Sequence, residues 1–153
     1  MNKICVAYIS TYRSASYWST GCKIPERSVY KAYQMAIQRA EHYIFIENQF
    51  FISSINRASP KNKVLEALYR RLCRAISERQ VFRCIVVIPL YPGGAVTEGS
   101  NRFMLKYTFR SINRGGGSLL EMLAKKFPNV DLSGTYCVNV FINITGVITY
   151  TTF

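Results

Sequence analysis

An α/β fold, a mainly parallel sheet with flanking helices, is what this sequence predicts, and three observations predict it. Two short apolar runs, "YIFI" (43–46) and "FRCIVVIPL" (82–90), flank a helical pattern, "KVLEALYRRLCRAISER" (63–79). Strand, helix and strand within about fifty residues form a βαβ unit, whose strands are parallel and joined by a right-handed crossover. A third apolar run, "YCVNVFINI" (136–144), follows two more helical patterns and reads as another strand.

The elements follow in chain order. "SVYKAYQMAIQRAE" (28–41) sets Val29, Tyr33, Ala36, Ile37 and Ala40 on one helical face, with Ser28 as N-cap and Pro25 at the entry turn. "YIFI" is apolar at every position and rich in β-branched and aromatic side chains, the composition of a strand covered on both faces. "NRASPKN" (56–62) is a polar break before the 63–79 helix, which aligns Leu65, Leu68, Leu72 and Ile76 against a basic stripe of Lys63, Arg70 and Arg74. Pro89 and Pro92 stop the second strand. "YPGGAVTEGS" (91–100) is a glycine-containing loop, and Gly115-Gly116-Gly117 separates helices expected over 101–112 and 118–127.

At 153 residues the chain fits a single domain with a real core. Hydrophobic residues make up 49% of it, which excludes a disordered polyelectrolyte despite the charge. That charge is one-sided: 20 Lys and Arg against 8 Asp and Glu, formally +12. Such a field suits an anionic phospholipid surface or nucleic acid, and it equally describes a solvated basic exterior. The five cysteines are scattered without a CxxC pair and their number is odd, so neither a zinc site nor a closed disulfide framework is indicated; reduced thiols are the expectation. The start of the chain makes a poor secretory signal. No apolar run approaches the ~20 residues of a bilayer span.

Ligands of open α/β sheets sit beyond the carboxyl ends of the strands. Here that edge comprises Glu47, Asn48 and Gln49 after the first strand and Leu90 to Gly94 after the second. Glu47 stands either as a structural strut or as a wall of a site. His42, the sole histidine, precedes the first strand and reads as a junction residue with a structural hydrogen bond. There is no Gly-x-Ser-x-Gly elbow and no GxxxxGK[ST] loop, and the triple glycine follows a helix, so it is a turn, not a phosphate cradle. No metal site or cofactor is expected. "NRFMLKYTFRSINR" interleaves Arg102, Lys106, Arg110 and Arg114 with Phe103, Tyr107 and Phe109; amphipathicity explains it first, a nucleic acid or membrane surface second.

Four stretches carry a resemblance. "RSASYWSTG", "HYIFIENQFFISS", "CIVVIPLYPGG" and "INRGGGSLLEML", in this order and spacing, resemble eukaryotic phospholipase D of the phosphatidylcholine-hydrolysing type. The likeness runs from about Arg13 to about Val130 and reaches toward the strand at 138–141. "IENQFFISS" is its most specific piece. Residues 1–12 and the tail 142–153 stand outside it, so the domain expectation is a partial phospholipase D-like α/β/α layer over 13–141, the start of the second catalytic half.

The resemblance implies a mechanism with two His-x-Lys-x4-Asp motifs, one histidine attacking phosphorus and the other serving as acid and base. His42 does not fit the motif, because Ile44 takes the lysine position and Gln49 the aspartate position. The expectation is therefore a fragment from between the two motifs, without catalytic residues of its own and inactive alone. The resemblance also implies that Glu47, Asn48, Gln49 and Phe50 lie near substrate in a complete enzyme. Its expected partners are an anionic phospholipid membrane surface, touched through Lys63, Arg70 and Arg74, and the remainder of a phospholipase D catalytic module. Nucleic acid is the disfavoured partner. A cytoplasmic, peripherally membrane-associated protein follows. The competing expectation is a non-catalytic basic module that binds anionic phospholipid or nucleic acid.

Overall fold

The longest apolar stripe in the sequence organises the structure, a computed structural model that describes residues 8–55, 60–89, 99–132, 138–144 and 147–151. Its chain divides into two units, Met1–Ala36 and Ile37–Phe153.

In the second unit, strand β3 (Tyr43–Glu47), helix α3 (Val64–Ser77) and strand β4 (Arg83–Pro89) form the expected βαβ unit. β3 and β4 are parallel neighbours, with Tyr43 opposite Arg83 and Glu47 opposite Val87. The sheet continues in the order β3-β4-β5-β6, where β5 is Val138–Ile144 and β6 is Val147–Thr151. β5 runs parallel to β4, and β6 turns back antiparallel to β5. β6 lies in the tail from which no strand was expected. Between β4 and β5 come helices α4 (Gly99–Ile112) and α5 (Leu119–Lys126), with α5 packed on both α3 and α4.

Leu65, Leu68 and Leu72 of α3 are wholly buried, and Ile76 nearly so. They meet one face of the sheet, where Ile44, Ile46, Cys84, Val86 and Ile88 are also buried. Burying each such side chain contributes roughly 1.5–3 kcal/mol, so this stripe fixes the pairing register against a one-residue slip. The expectation that β3 is covered on both faces is corrected: Tyr43 is 65% and Phe45 55% exposed. β3 is an edge strand with burial on alternate residues. An all-apolar sequence cannot distinguish that case from two-sided cover.

α3 lacks a local cap. Lys63 occupies the cap position without a side-chain hydrogen bond, and the Leu65 N–H instead donates to Ser53 Oγ at 2.9 Å. Its other end closes with Arg79 N–H on Ile76 O (3.1 Å) and Gln80 N–H on Ala75 O (2.8 Å), a Schellman turn. The turn holds Arg79 at φ 54°, a conformation that usually calls for glycine.

Buried Arg71 fastens α3 to its surroundings. Its Nε donates to Ala40 O (2.7 Å), its Nη2 to Glu41 O (3.3 Å) and to Gln80 Oε1 (3.0 Å), and the guanidinium lies 3.8 Å above the Phe82 ring. Burial, and then the neighbouring Arg74, pull its pKa below the ordinary arginine value.

The triple glycine is a turn, as the sequence indicates, and its Gly115 and Gly117 amides are occupied. Gly115, Gly116 and Gly117 all have positive φ, at 133°, 72° and 145°, which side-chain-bearing residues rarely adopt. This aims the N–H groups of Gly115, Gly117 and Ser118 at the Glu121 carboxylate at 2.9–3.1 Å. Ser118 caps α5 in return, accepting from the Glu121 N–H at 3.3 Å. The Gly117 and Ser118 amides hold the Glu121 carboxyl down at about 2, well below the ordinary carboxylate value of 4.5. A depressed carboxylate stabilises the fold fully above its unfolded pKa and loses that contribution as pH falls through the folded one. Between pH 4.5 and about 2 the chain should therefore lose stability, and Glu121→Gln should flatten that slope in denaturant titrations. An equal slope in both proteins would show that this carboxylate does not matter to acid stability.

The first unit holds a two-residue antiparallel ribbon, β1 (Ser14–Ala15) with β2 (Glu26–Arg27), and a single helical turn, α1 (Tyr17–Thr20), closed by Gly21 at φ 70°. The helix expected over 28–41 is α2 (Ser28–Arg39). Ser28 is not its side-chain cap. Its Oγ instead bonds both backbone groups of Arg13, at 3.0 and 3.1 Å, fixing the ribbon to the helix. The apolar face expected for α2 is also largely uncovered: Val29 and Ala36 are exposed, and only Ile37 is buried.

Candidate functional site

β3 ends on Glu47, and the Asn48 N–H continues the ladder by donating to Val87 O at 3.1 Å. That bond carries the backbone straight past the sheet edge and presents Glu47, Asn48 and Gln49 side by side, all exposed. With Val87 and Pro89 of β4 they line an open cleft of about 260 Å³ at the carboxyl ends of the two strands. Phe50 is 41% exposed and is not part of the lining. The rim expected from Leu90 to Gly94 lies outside the described residues.

The segment after the cleft is anchored by residues that the sequence reading passed over. Phe51 and Ile55 are buried, as are Ser53 and Ser54 between them. Ser111 of α4 bonds Ser53 on both sides: its Oγ accepts from the Ser53 N–H (3.0 Å) and donates to Ser53 O (2.9 Å) or to Tyr107 O (2.8 Å). Ser53 Oγ accepts the α3 amide described above, Ser54 Oγ donates to Pro60 O (2.9 Å), and Asn62 Nδ2 donates to Ile52 O (2.9 Å). A non-strand stretch thus has its backbone groups satisfied by serine and asparagine side chains, as a buried loop must. The readable signal was the serine pair in "FFISS", polar residues in an apolar context.

His42 is exposed and lies one residue before β3, where its carbonyl accepts from the Arg83 N–H at 3.3 Å. The cleft is at the other end of that strand, about 16 Å away at roughly 3.3 Å per residue. The only histidine and the cleft are therefore separated by the full length of β3. Cys84 offers no substitute nucleophile: it is wholly buried, and burial pushes its thiol up to about 12. Among the described residues, no three of His, Cys, Asp and Glu are grouped to hold a metal ion.

The stripe on α3 is engaged internally. Lys63 (3.3 Å) and Arg70 (2.6 Å) both pair with Glu66, and Arg74 Nη2 donates to Gln38 O at 2.7 Å. Partial burial raises the Glu66 carboxyl, but the hydrogen bonds from Lys63 and Arg70 outweigh it and hold it below its ordinary value. The four cations of the α4 stripe have no carboxylate partner among the described residues, and they line a larger groove of about 920 Å³ with Phe103 and Phe109.

The family model for phospholipase D matches residues 10–126, taking in the ribbon, the βαβ unit and the cleft. The chain belongs to the phospholipase D family. It is 42% identical over 124 residues to phospholipase D B of Dictyostelium discoideum, covering 81% of this chain and 10% of that protein. To phospholipase D zeta 1 of Arabidopsis thaliana it is 46% identical over 117 residues, 72% of this chain and 11% of the other. To human phospholipase D1 it is 38% identical over 128 residues, 80% of this chain and 12% of the other. The chain thus spans about a tenth of the length of the curated relatives it matches. Residues 127–153, which hold β5 and β6, lie beyond the stretch that the family model matches.

Proposed function

We propose that this chain is a part of a phospholipase D, contributing to the conversion of phosphatidylcholine to phosphatidic acid and choline, and that it does not catalyse alone. The observation that carries the second half is the position of His42, at the end of β3 remote from the cleft. A phosphohistidine mechanism needs a nucleophile and a proton donor on opposite sides of phosphorus, with cations to neutralise the phosphoryl oxygens. A single remote histidine cannot fill both roles. In this reading Glu47, Asn48, Gln49 and Phe50 lie near the lipid headgroup of a complete enzyme. There Glu47 supplies negative charge for a cationic group, and the two amides supply donors and acceptors. The partners are the remainder of a phospholipase D catalytic module and an anionic phospholipid surface, met peripherally from the cytoplasm. No described helix is long and apolar enough to cross a membrane.

The test is direct. Purified chain given phosphatidylcholine and a primary alcohol should yield neither phosphatidic acid nor the phosphatidylalcohol above blank, and His42→Ala should change nothing. Turnover that persists through repurification and disappears in His42→Ala would overturn the reading. The alternative, a non-catalytic module for anionic phospholipid, is favoured by one feature, the basic face of α4, whose cations have no carboxylate partner among the described residues.

A further inference from the structure

α4 is two-sided. Asn101, Thr108, Ser111 and Ile112 are buried and hold it in place. At ~100° per residue, Arg102, Lys106 and Arg110 form one row on the other side, with Phe103 and Tyr107 beside it. Arg102, Lys106 and Arg114 are exposed, and so are Phe103 (62%), Tyr107 (44%) and Met104 (38%). The helix contains no Asp or Glu, and the groove it borders is lined by Arg102, Phe103, Lys106, Phe109, Arg110 and Arg114 between two glycines.

The groove is also held in shape. The Arg110 guanidinium lies 6.0 Å from the Tyr107 ring, and that of Arg114 lies 5.6 Å from the Phe109 ring. The Arg110 stem rests so close to Gly115 that a Cβ there would come within 2.8 Å of its Cγ.

From these placements we infer that the α4 face is a docking surface for an anionic phospholipid bilayer. On the α3 stripe Glu66 offsets Lys63 and Arg70, so its net positive charge is smaller than that of α4. Charge complementarity carries the inference. Arg102 to Arg110 spans about 12 Å of helix, more than one phosphate reaches and suited to an array of headgroups. The exposed Phe103, Met104 and Tyr107 choose between polyanions. Aromatic and thioether side chains beside a cationic row match the boundary between headgroups and acyl chains. Sequence-tolerant binding of nucleic acid would use a basic groove whose aromatic rings are free to stack on bases. Here the Tyr107 and Phe109 rings already face the Arg110 and Arg114 guanidinium groups. The inference shares the membrane setting proposed above but none of its chemistry, so binding can succeed whether or not turnover is ever seen.

The experiment is co-sedimentation of the full chain with phosphatidylcholine vesicles, with and without phosphatidylserine, across a salt series. Binding should require phosphatidylserine and weaken steeply with salt. The triple variant Arg102→Glu, Lys106→Glu, Arg114→Glu should bind on the order of 100-fold more weakly, since each basic residue near such a surface is worth about fivefold. Lys61→Glu, Arg83→Glu, Lys125→Glu changes three exposed cations elsewhere, and by the same formal charge. It should lose far less. Phe103→Ala should cost a few-fold that salt does not abolish. Circular dichroism and melting curves of each variant establish that it is folded. Equal losses in the two triples would reduce the effect to net charge and overturn the inference. So would binding a single-stranded oligonucleotide more tightly than vesicles through the same three residues, which would assign the face to nucleic acid.

Discussion

Arg71→Ala should lower the unfolding free energy by about 3 kcal/mol. Removing the side chain takes the donors from Ala40 O, Glu41 O and Gln80 Oε1 and the cation from above Phe82. These acceptors are part-buried, so each lost bond costs near the lower end of the ~1–3 kcal/mol of a buried group left without a donor. Partial hydration of the Ala40 and Glu41 carbonyls returns part of it, while the void above Phe82 adds to it. Arg71→Lys should fall between, because an ammonium restores the charge but cannot make several directed bonds from one planar group. For a domain of this size the alanine variant should melt roughly 6–12 °C lower. An alanine variant that melts with the parent would show that the α3 contacts made by the guanidinium are incidental.

Ser111→Ala should cost about 1–3 kcal/mol, because deleting the hydroxyl leaves the buried Ser53 N–H without its acceptor and removes the one donor shared between Ser53 O and Tyr107 O. The loss should be local as well as global: amide exchange should accelerate first at Ser53 and its neighbours, before the β3–β4 ladder gives way. Ser54→Ala, which removes a single donor to Pro60 O, should cost nearer 1 kcal/mol. Equal effects from the two substitutions would mean that the Ser53–Ser111 exchange is not what secures the segment beside the cleft.

The legible parts of this fold are those written in periodicity. Leu65, Leu68, Leu72 and Ile76 announce α3 and its buried face, and with it the parallel pairing of β3 and β4 that α3 crosses between. The cleft followed from that pairing, since Glu47 to Gln49 had to emerge at a carboxyl edge. Other features are not written in any local pattern. Ser53 and Ser111 are 58 residues apart, and nothing in either neighbourhood names the other. The ribbon in the first unit has two residues per strand, too few for an alternation to be read. Ser28 looks like a helix cap from its neighbours alone, yet its hydroxyl is taken by Arg13, fifteen residues earlier. The two basic stripes are indistinguishable by spacing. What separates them is Glu66, which pairs with Lys63 and Arg70, while α4 contains no acidic residue at all.

The two sides of α4 have a consequence of their own. The helix that presents its cations on one side holds Ser53 through Ser111 on the other, and a helix moves as a rigid rod. Any ligand that shifts α4 along or about its axis must strain the bonds to Ser53, and so the segment that follows Glu47 to Phe50. By thermodynamic linkage any such coupling is reciprocal: a ligand at the cleft end of β3 that strains the Ser53 bonds biases how readily the far face of α4 takes its ligand. Ser111→Ala severs that linkage without touching a charge. Vesicle affinity that responds to occupancy of the cleft in the parent protein should cease to respond in this variant. Affinity that ignores the cleft in both would leave α4 as two independent surfaces on one helix.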